Sequence, residues 1–208
     1  MTEIYLISPE KIELDDFAKN LDNIFKVTGG CGAFQLRLKN QTTKYIIDAA
    51  KKLLPICHAY GVPFIINDFW ELARDLDIDG IHIGQDDSNI KDLRKEFSDQ
   101  KIIGVSCQNS KHNAIIAAEN GADYVSFGAF FPTSTKKDTV KADLDILNWW
   151  KNTTNIPVAA IGGINYNNIK DVLYCKPDFI CLISAIWLDS NPGDKLGEFM
   201  KLTETNIE

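Results

Sequence analysis

The chain is short of the residues that build metal and disulfide scaffolds: 208 residues include 3 histidines and 5 cysteines. Cys31, Cys57, Cys107, Cys175 and Cys181 are odd in number and form no CxxC pair, which excludes a disulfide framework or zinc knuckle and suits a reducing cytoplasm. His58, His82 and His112 are scattered without carboxylate spacing, so no zinc site is expected. Positive charge is also scarce, with 22 Lys and Arg against 29 Asp and Glu, a net charge of −7. That balance lacks the broad positive field of a nucleic-acid or anionic-membrane binder. No apolar run approaches the ~18–20 residues that span a bilayer. The opening MTEIYLISPEK has neither the basic start nor the apolar length of a secretion signal. No Pro/Gly/Ser-rich linker or low-complexity tract divides the chain. The expectation is a soluble cytoplasmic protein forming a single domain over residues 1–208.

What is present is alternation. Short β-prone runs at Ile4–Ser8, Ala33–Leu38, Phe64–Asn67, Gly80–Ile83, Ile102–Ser106, Tyr124–Phe127, Val158–Ile161 and Phe179–Ile183 are separated by longer, helix-like stretches. Thr43–Ala59 carries Ile46, Ile47, Ala50, Leu53, Leu54 and Cys57 at helical spacing. Ser110 can cap a helix reaching about Asn120, and Asn165 can cap the next. The stretch from Asn67 to Gly80 leaves room for a helix of only two turns. Repeated βα units imply parallel strands with right-handed crossovers. Eight units in this length predict an α/β fold, a (β/α)8 TIM barrel. An open doubly wound sheet would carry a GxGxxG turn after its first strand, whereas here Ser8-Pro9-Glu10 follows.

In such a barrel the site lies where the strands end. A period of two along Ala33–Lys39 sends Gln35, Arg37 and Lys39 to one face and Phe34, Leu36 and Leu38 outward. A guanidinium and an ammonium two residues apart can clamp a diphosphate, or can be solvated bases at a strand end. Asp68 ends the third strand and Asp87 follows the fourth. Each alone could cap a helix, but both together on strands ~4.8 Å apart can converge on a magnesium ion. Ser106 ends the fifth strand without a GxSxG elbow, so it is a candidate anion donor and not a hydrolase nucleophile. The segment Gly128–Asp138 gathers hydroxyls and Lys136 behind Pro132. With little apolar material to hold it, Phe130–Lys137 is expected to close over an anionic ligand. Gly162-Gly163 and Ile183-Ser184 follow the seventh and eighth strands, where barrels often hold phosphate. His82, inside GIHIG, reads as a hydrogen-bonded wall residue with no catalytic role.

Together QLRLK (Gln35–Lys39), IND (Ile66–Asp68), GIHIGQDD (Gly80–Asp87), PTSTKKD (Pro132–Asp138), IGGI (Ile161–Ile164) and ISA (Ile183–Ala185) resemble the thiamine phosphate synthase family, over roughly residues 3–200. The resemblance implies a (β/α)8 enzyme, a transferase of thiamine biosynthesis. It would join 4-amino-2-methyl-5-(diphosphooxymethyl)pyrimidine to thiazole phosphate, or its carboxylate, and release pyrophosphate. It places the pyrimidine diphosphate against Gln35, Leu36, Arg37, Leu38, Lys39, Asn67, Ser106 and Lys136. Thiazole phosphate falls to Thr133, Ser134, Thr135, Gly163, Ile183 and Ser184. Asp68 and Asp87 become ligands of one Mg2+ per site, and Arg37, Lys39, Ser106 and Lys136 the catalytic groups. Two departures stand out: Gln108 occupies a position where members often have histidine, and GAFFP replaces GPIFP or GPIYP. A thiazole tautomerase-like isomerase and a non-catalytic thiamine-precursor sensor are the other readings. Retention of the carboxylate and PTSTK set speaks against both. The partners implied are small molecules; the oligomeric state stays open, a homodimer included.

Overall fold

Eight short apolar runs bury both faces when the sheet closes on itself and helices cover its outside. The computed structural model, which describes residues 1–84, 89–133 and 140–204, shows that arrangement. The strands are β1 (Glu3–Ile7), β2 (Ala33–Leu36), β3 (Phe64–Asn67), β4 (Gly80–Ile83), β5 (Ile102–Gln108), β6 (Tyr124–Phe127), β7 (Val158–Ala160) and β8 (Phe179–Leu182). They pair in sequence order, all parallel, and β1 closes the barrel against β8 through Glu3–Phe179 to Leu6–Leu182. Around them lie α1 (Leu14–Thr28), α2 (Thr43–Ala59), α3 (Leu72–Asp75), α4 (Ile90–Phe97), α5 (Lys111–Glu119), α6 (Asp145–Thr153), α7 (Ile169–Tyr174), α8 (Ser184–Trp187) and α9 (Pro192–Glu204). The expected (β/α)8 barrel is therefore the fold.

Two apolar layers hold it. Outward side chains such as Phe34, Leu36, Ile66, Ile81, Val125 and Leu182 join the inner faces of the helices in one continuous core. Inside the barrel Tyr5, Ile7, Ala33, Ile65, Tyr124, Ala159 and Cys181 form a second, smaller cluster. Each large aliphatic side chain so buried contributes roughly 1.5–3 kcal/mol relative to exposure. Helix α2 has the predicted limits, and Ile46, Ala49, Ala50, Leu53 and Cys57 on its inner stripe are buried. Ser110 does cap α5, its Oγ accepting from Asn113 N–H at 3.1 Å.

Three local expectations change. Helix α3 is one turn long, because Asn67-Asp68-Phe69-Trp70 is spent on a turn in which Phe69 and Trp70 N–H donate to the Asn67 and Asp68 carbonyls. Helix α7 starts at Ile169, four residues after Asn165. The Asn165 side chain instead accepts from Asn167 N–H at 2.9 Å, forming a local turn that postpones the helix. Strand β5 continues past Ser106 to Gln108, with a register shift against β6 between those two residues.

Candidate active site

The clamp segment is fixed by the loop after β1. Ser8, fully buried, donates its N–H to the Gln35 carbonyl (2.9 Å), and its Oγ accepts the Arg37 N–H (2.9 Å). Lys39 N–H donates to the Glu10 carbonyl at 3.2 Å. These bonds carry the alternation beyond the last ladder pair of β2, so Gln35 stays buried inside while Leu36 and Leu38 pack among the helices. Arg37 is 16% exposed and gives Nη1 to Glu10 Oε1 at 2.8 Å; Lys39 Nζ pairs with Asp68 Oδ2. Enclosure of Arg37 argues against a merely solvated strand-end base. Both cations already have a carboxylate partner.

Asn67 is buried at the end of β3, and Asp68 follows with φ of +66°, its N–H donating to the His82 carbonyl at 2.9 Å. Left-handed backbone disfavours most side chains but tolerates Asp and Asn. The carboxylate is turned to Lys39, and α3 begins at Leu72 with no side-chain cap, so Asp68 does not serve as the cap its position allows. A hard carboxylate oxygen beside cationic side chains able to bind phosphate fits a magnesium ion completed by water and substrate. Asp87 lies outside the described residues, and among those described no three His, Cys, Asp or Glu side chains gather as a metal site.

Across the mouth, the segment after β6 is pinned to the turn after β7. Phe130 and Phe131 N–H donate to the Ile161 and Gly162 carbonyls at 3.3 and 3.0 Å. A Cβ on Gly163, whose φ is +65°, would stand 2.4 Å from the Pro132 carbonyl oxygen and 2.6 Å from that of Phe131. Glycine is required there for both reasons. Phe130 is buried and Phe131 packs on the core, which corrects the expectation of a loop with little apolar anchorage over its first part. Thr133, half-buried, and Gly163 thus belong to segments that the fold brings together, with Ile183 and exposed Ser184 at the adjacent strand end. Ser134, Thr135 and Lys136 lie outside the described residues.

Beneath the mouth runs a chain of polar groups. Gln35 Nε2 donates to Tyr5 Oη (2.9 Å), Tyr5 and Tyr124 hydroxyls are 2.8 Å apart, Tyr124 Oη meets His82 Nδ1 (2.8 Å), and His82 Nε2 meets Ser106 Oγ (2.9 Å). Gly104 makes this possible: a Cβ there would sit 2.0 Å from the Tyr124 ring. Burial raises the Tyr5 and Tyr124 pKa values well above that of a free phenol. Burial also lowers that of His82 to about 4, with Asp68 pulling it up and Arg37 pushing it further down. His82 is the satisfied wall residue its context predicts, but its partner is a candidate catalytic serine. Glu10, Tyr5 and Tyr124 were missed from sequence. The two tyrosines carried a signal, since each sits at an inward parity position of its strand.

Fold and mouth together define a (β/α)8-barrel enzyme whose site lies at the carboxyl ends of its strands. The chain belongs to the thiamine monophosphate synthase family, whose model matches residues 4–186. It is 46% identical over 165 residues to a thiamine-phosphate synthase of Bacillus mycoides, covering 77% of this chain and 74% of that one. It is 41% identical over 184 residues to one of Pelagibacter ubique, covering 88% of each. A solved thiamine phosphate pyrophosphorylase of Pyrococcus furiosus superposes with a TM-score of 0.81 at 29% identity, over 98% of this chain and 97% of that one.

Proposed function

We propose that this chain is a thiamine phosphate synthase, a transferase that moves the aminopyrimidinylmethyl group from diphosphate to the ring nitrogen of thiazole phosphate or its carboxylate. The carrying observation is that Lys39 pairs with Asp68 and Arg37 with Glu10 just past the ends of β2 and β3, which puts two cations and a hard oxygen ligand on neighbouring strand ends. The methylene–oxygen bond breaks with its electron pair leaving on the diphosphate. The electron-rich pyrimidine carries the resulting positive charge, and the thiazole nitrogen lone pair forms the new C–N bond. Arg37, Lys39 and Lys136 neutralise the departing charge, Ser106 donates to the pyrimidine diphosphate, and Asn67 and Gln35 line its place. The side chains of Leu36 and Leu38 pack outward among the helices, so those two residues can offer it only their backbone. Thr133, Ser134, Thr135, Gly163, Ile183 and Ser184 hold the second phosphate and keep the nitrogen in line.

Asp68 and Asp87 would hold one Mg2+, which supplies additional charge neutralisation at the diphosphate. No histidine base or strong nucleophile is demanded. The five free thiols suit the reducing cytoplasm, and among the described residues no helix is long and apolar enough to cross a membrane. The test is direct: purified protein with both substrates and magnesium should release pyrophosphate and thiamine phosphate in equal amounts. Absence of thiamine phosphate under those conditions overturns the reading.

A further inference from the structure

The interior polar chain joins Gln35 to Ser106 by way of three residues outside the candidate substrate and metal set. An amide nitrogen can only donate, so the contact from Gln35 Nε2 sets a direction at one end. Tyr5 Oη accepts that proton and must spend its own on Tyr124. Tyr124 Oη, having accepted, has its hydrogen left for His82 Nδ1. A neutral imidazole that accepts at Nδ1 carries its proton on Nε2, which then donates to Ser106 Oγ. Ser126 Oγ also approaches Ser106 Oγ as a donor, at 3.5 Å. Ser106 Oγ is thus supplied with donors by His82 and Ser126, which leaves its own hydroxyl hydrogen for a partner other than these two, on a residue that is half-buried near the end of β5.

We propose that Tyr5, Tyr124 and His82 are positioning residues, a one-way hydrogen-bond relay that makes Ser106 an obligate donor to the bound ligand. This rests on the synthase reading for what the ligand is, but not for the direction of the relay. Turning over the Gln35 amide would reverse every bond: His82 would protonate at Nδ1, Ser106 would donate downward into the barrel, and only its lone pair would meet the ligand. The sequence spends five strands on one orientation, with Gly104 kept free of a side chain so that the Tyr124 hydroxyl reaches both neighbours. Cooperative polarisation along such a chain strengthens each member. The same chain leaves the Gln35 amide oxygen as an acceptor, so the two candidate pyrimidine contacts present opposite hydrogen-bonding polarity to one ligand. A ligand with matching polarity is favoured over its mirror arrangement.

Two measurements decide it. In protein labelled with 15N-histidine, long-range proton–nitrogen correlation at pH 7.5 should show His82 protonated at Nε2 and bare at Nδ1. Tyr124→Phe, which removes one oxygen and keeps the ring, should leave that preference mixed. The same variant should lower kcat about tenfold with KM little changed, the pattern of a group felt mainly in the transition state. Placed on top of Ser106→Ala, Tyr124→Phe should cost nothing further, because the relay acts only through Ser106. An Nδ1–H tautomer in the wild type overturns the relay, as do losses that multiply in the double variant. If Tyr124→Phe fails to fold, Tyr5→Phe is carried through the same cycle. A wild type that makes no thiamine phosphate refutes the synthase reading instead, while the tautomer measurement still judges the relay.

Discussion

Acidification should strike this protein first through His82. Its imidazole is buried between Tyr124 and Ser106, and desolvation holds its pKa near 4 in the folded state, against 6.5 for an ordinary histidine. The unfolded chain therefore binds a proton that the folded chain refuses. Above pH 6.5 both states are neutral there and the residue imposes no penalty. As pH falls from 6.5 toward 4 the unfolded state is progressively favoured, and below 4 the difference is constant. At pH 5 the unfolded imidazole is protonated roughly 30 to 1 while the folded one is neutral roughly 10 to 1, so the stability lost relative to pH 7.5 is about 2 kcal/mol. Urea unfolding followed by circular dichroism at pH 7.5, 6 and 5 measures this, with His82→Gln as the control. Glutamine keeps a donor and an acceptor but cannot titrate, so its midpoint should move less over that range. Carboxylates paired on the surface, such as Asp15 with Lys52 and Glu96 with Arg74, have lowered pKa values and cancel in the difference. Parallel pH dependence in wild type and His82→Gln would refute the reasoning.

Asp68→Asn should cut turnover by orders of magnitude with the thermal midpoint nearly intact, because asparagine tolerates the left-handed backbone at φ +66°; full activity of chelator-treated enzyme would remove the metal from the scheme. Arg37→Ala should lower the chemical rate and weaken the pyrimidine diphosphate, whereas Ser184→Ala should mainly weaken thiazole phosphate; calorimetric titration of each ligand into each variant separates the two, and equal losses would dissolve the two-site map. Gly163→Ala should destabilise by about 2–4 kcal/mol, since its methyl meets backbone oxygens at 2.4 and 2.6 Å in a left-handed turn; an unchanged thermal midpoint would mean that the turn relaxes freely.

The barrel was legible because parallel strands covered on both faces read as near-continuous apolar runs, and eight of them alternate with helix-like or connecting stretches. Boundaries slipped where local turns displace the start of a helix. Asn165 makes a turn in place of a cap, and Asn67-Asp68 consumes most of the room that a two-turn α3 would need. Arg37 and Lys39 were found by period two, since the alternation continues past the last ladder pair of β2. Glu10 was not, because its pairing with Arg37 joins two loops 27 residues apart and no local pattern announces it. The relay was hidden for the same reason: Tyr5 and Tyr124 meet across the barrel although they are 119 positions apart in sequence, and only inward parity hinted at either. Phe130 was misjudged as part of a loose loop, although its aromatic neighbourhood carried the anchoring that the structure displays.

Arg37 and Lys39 face any incoming ligand with carboxylates already in their grasp, and this turns association into an exchange of partners. A small monovalent anion would have to prise a cation from Glu10 or Asp68 and could offer little in return. On the proposed reading, a polyanion arriving with a divalent cation would satisfy three of the four groups at once, phosphoryl oxygens replacing the carboxylates at the bases while the cation takes up Asp68 and Glu10 is released to water. On that reading the mouth would favour a ligand able to swap several contacts together over a simple anion. A protein of net charge −7 can in this way handle a diphosphate without an attractive field reaching far into solvent.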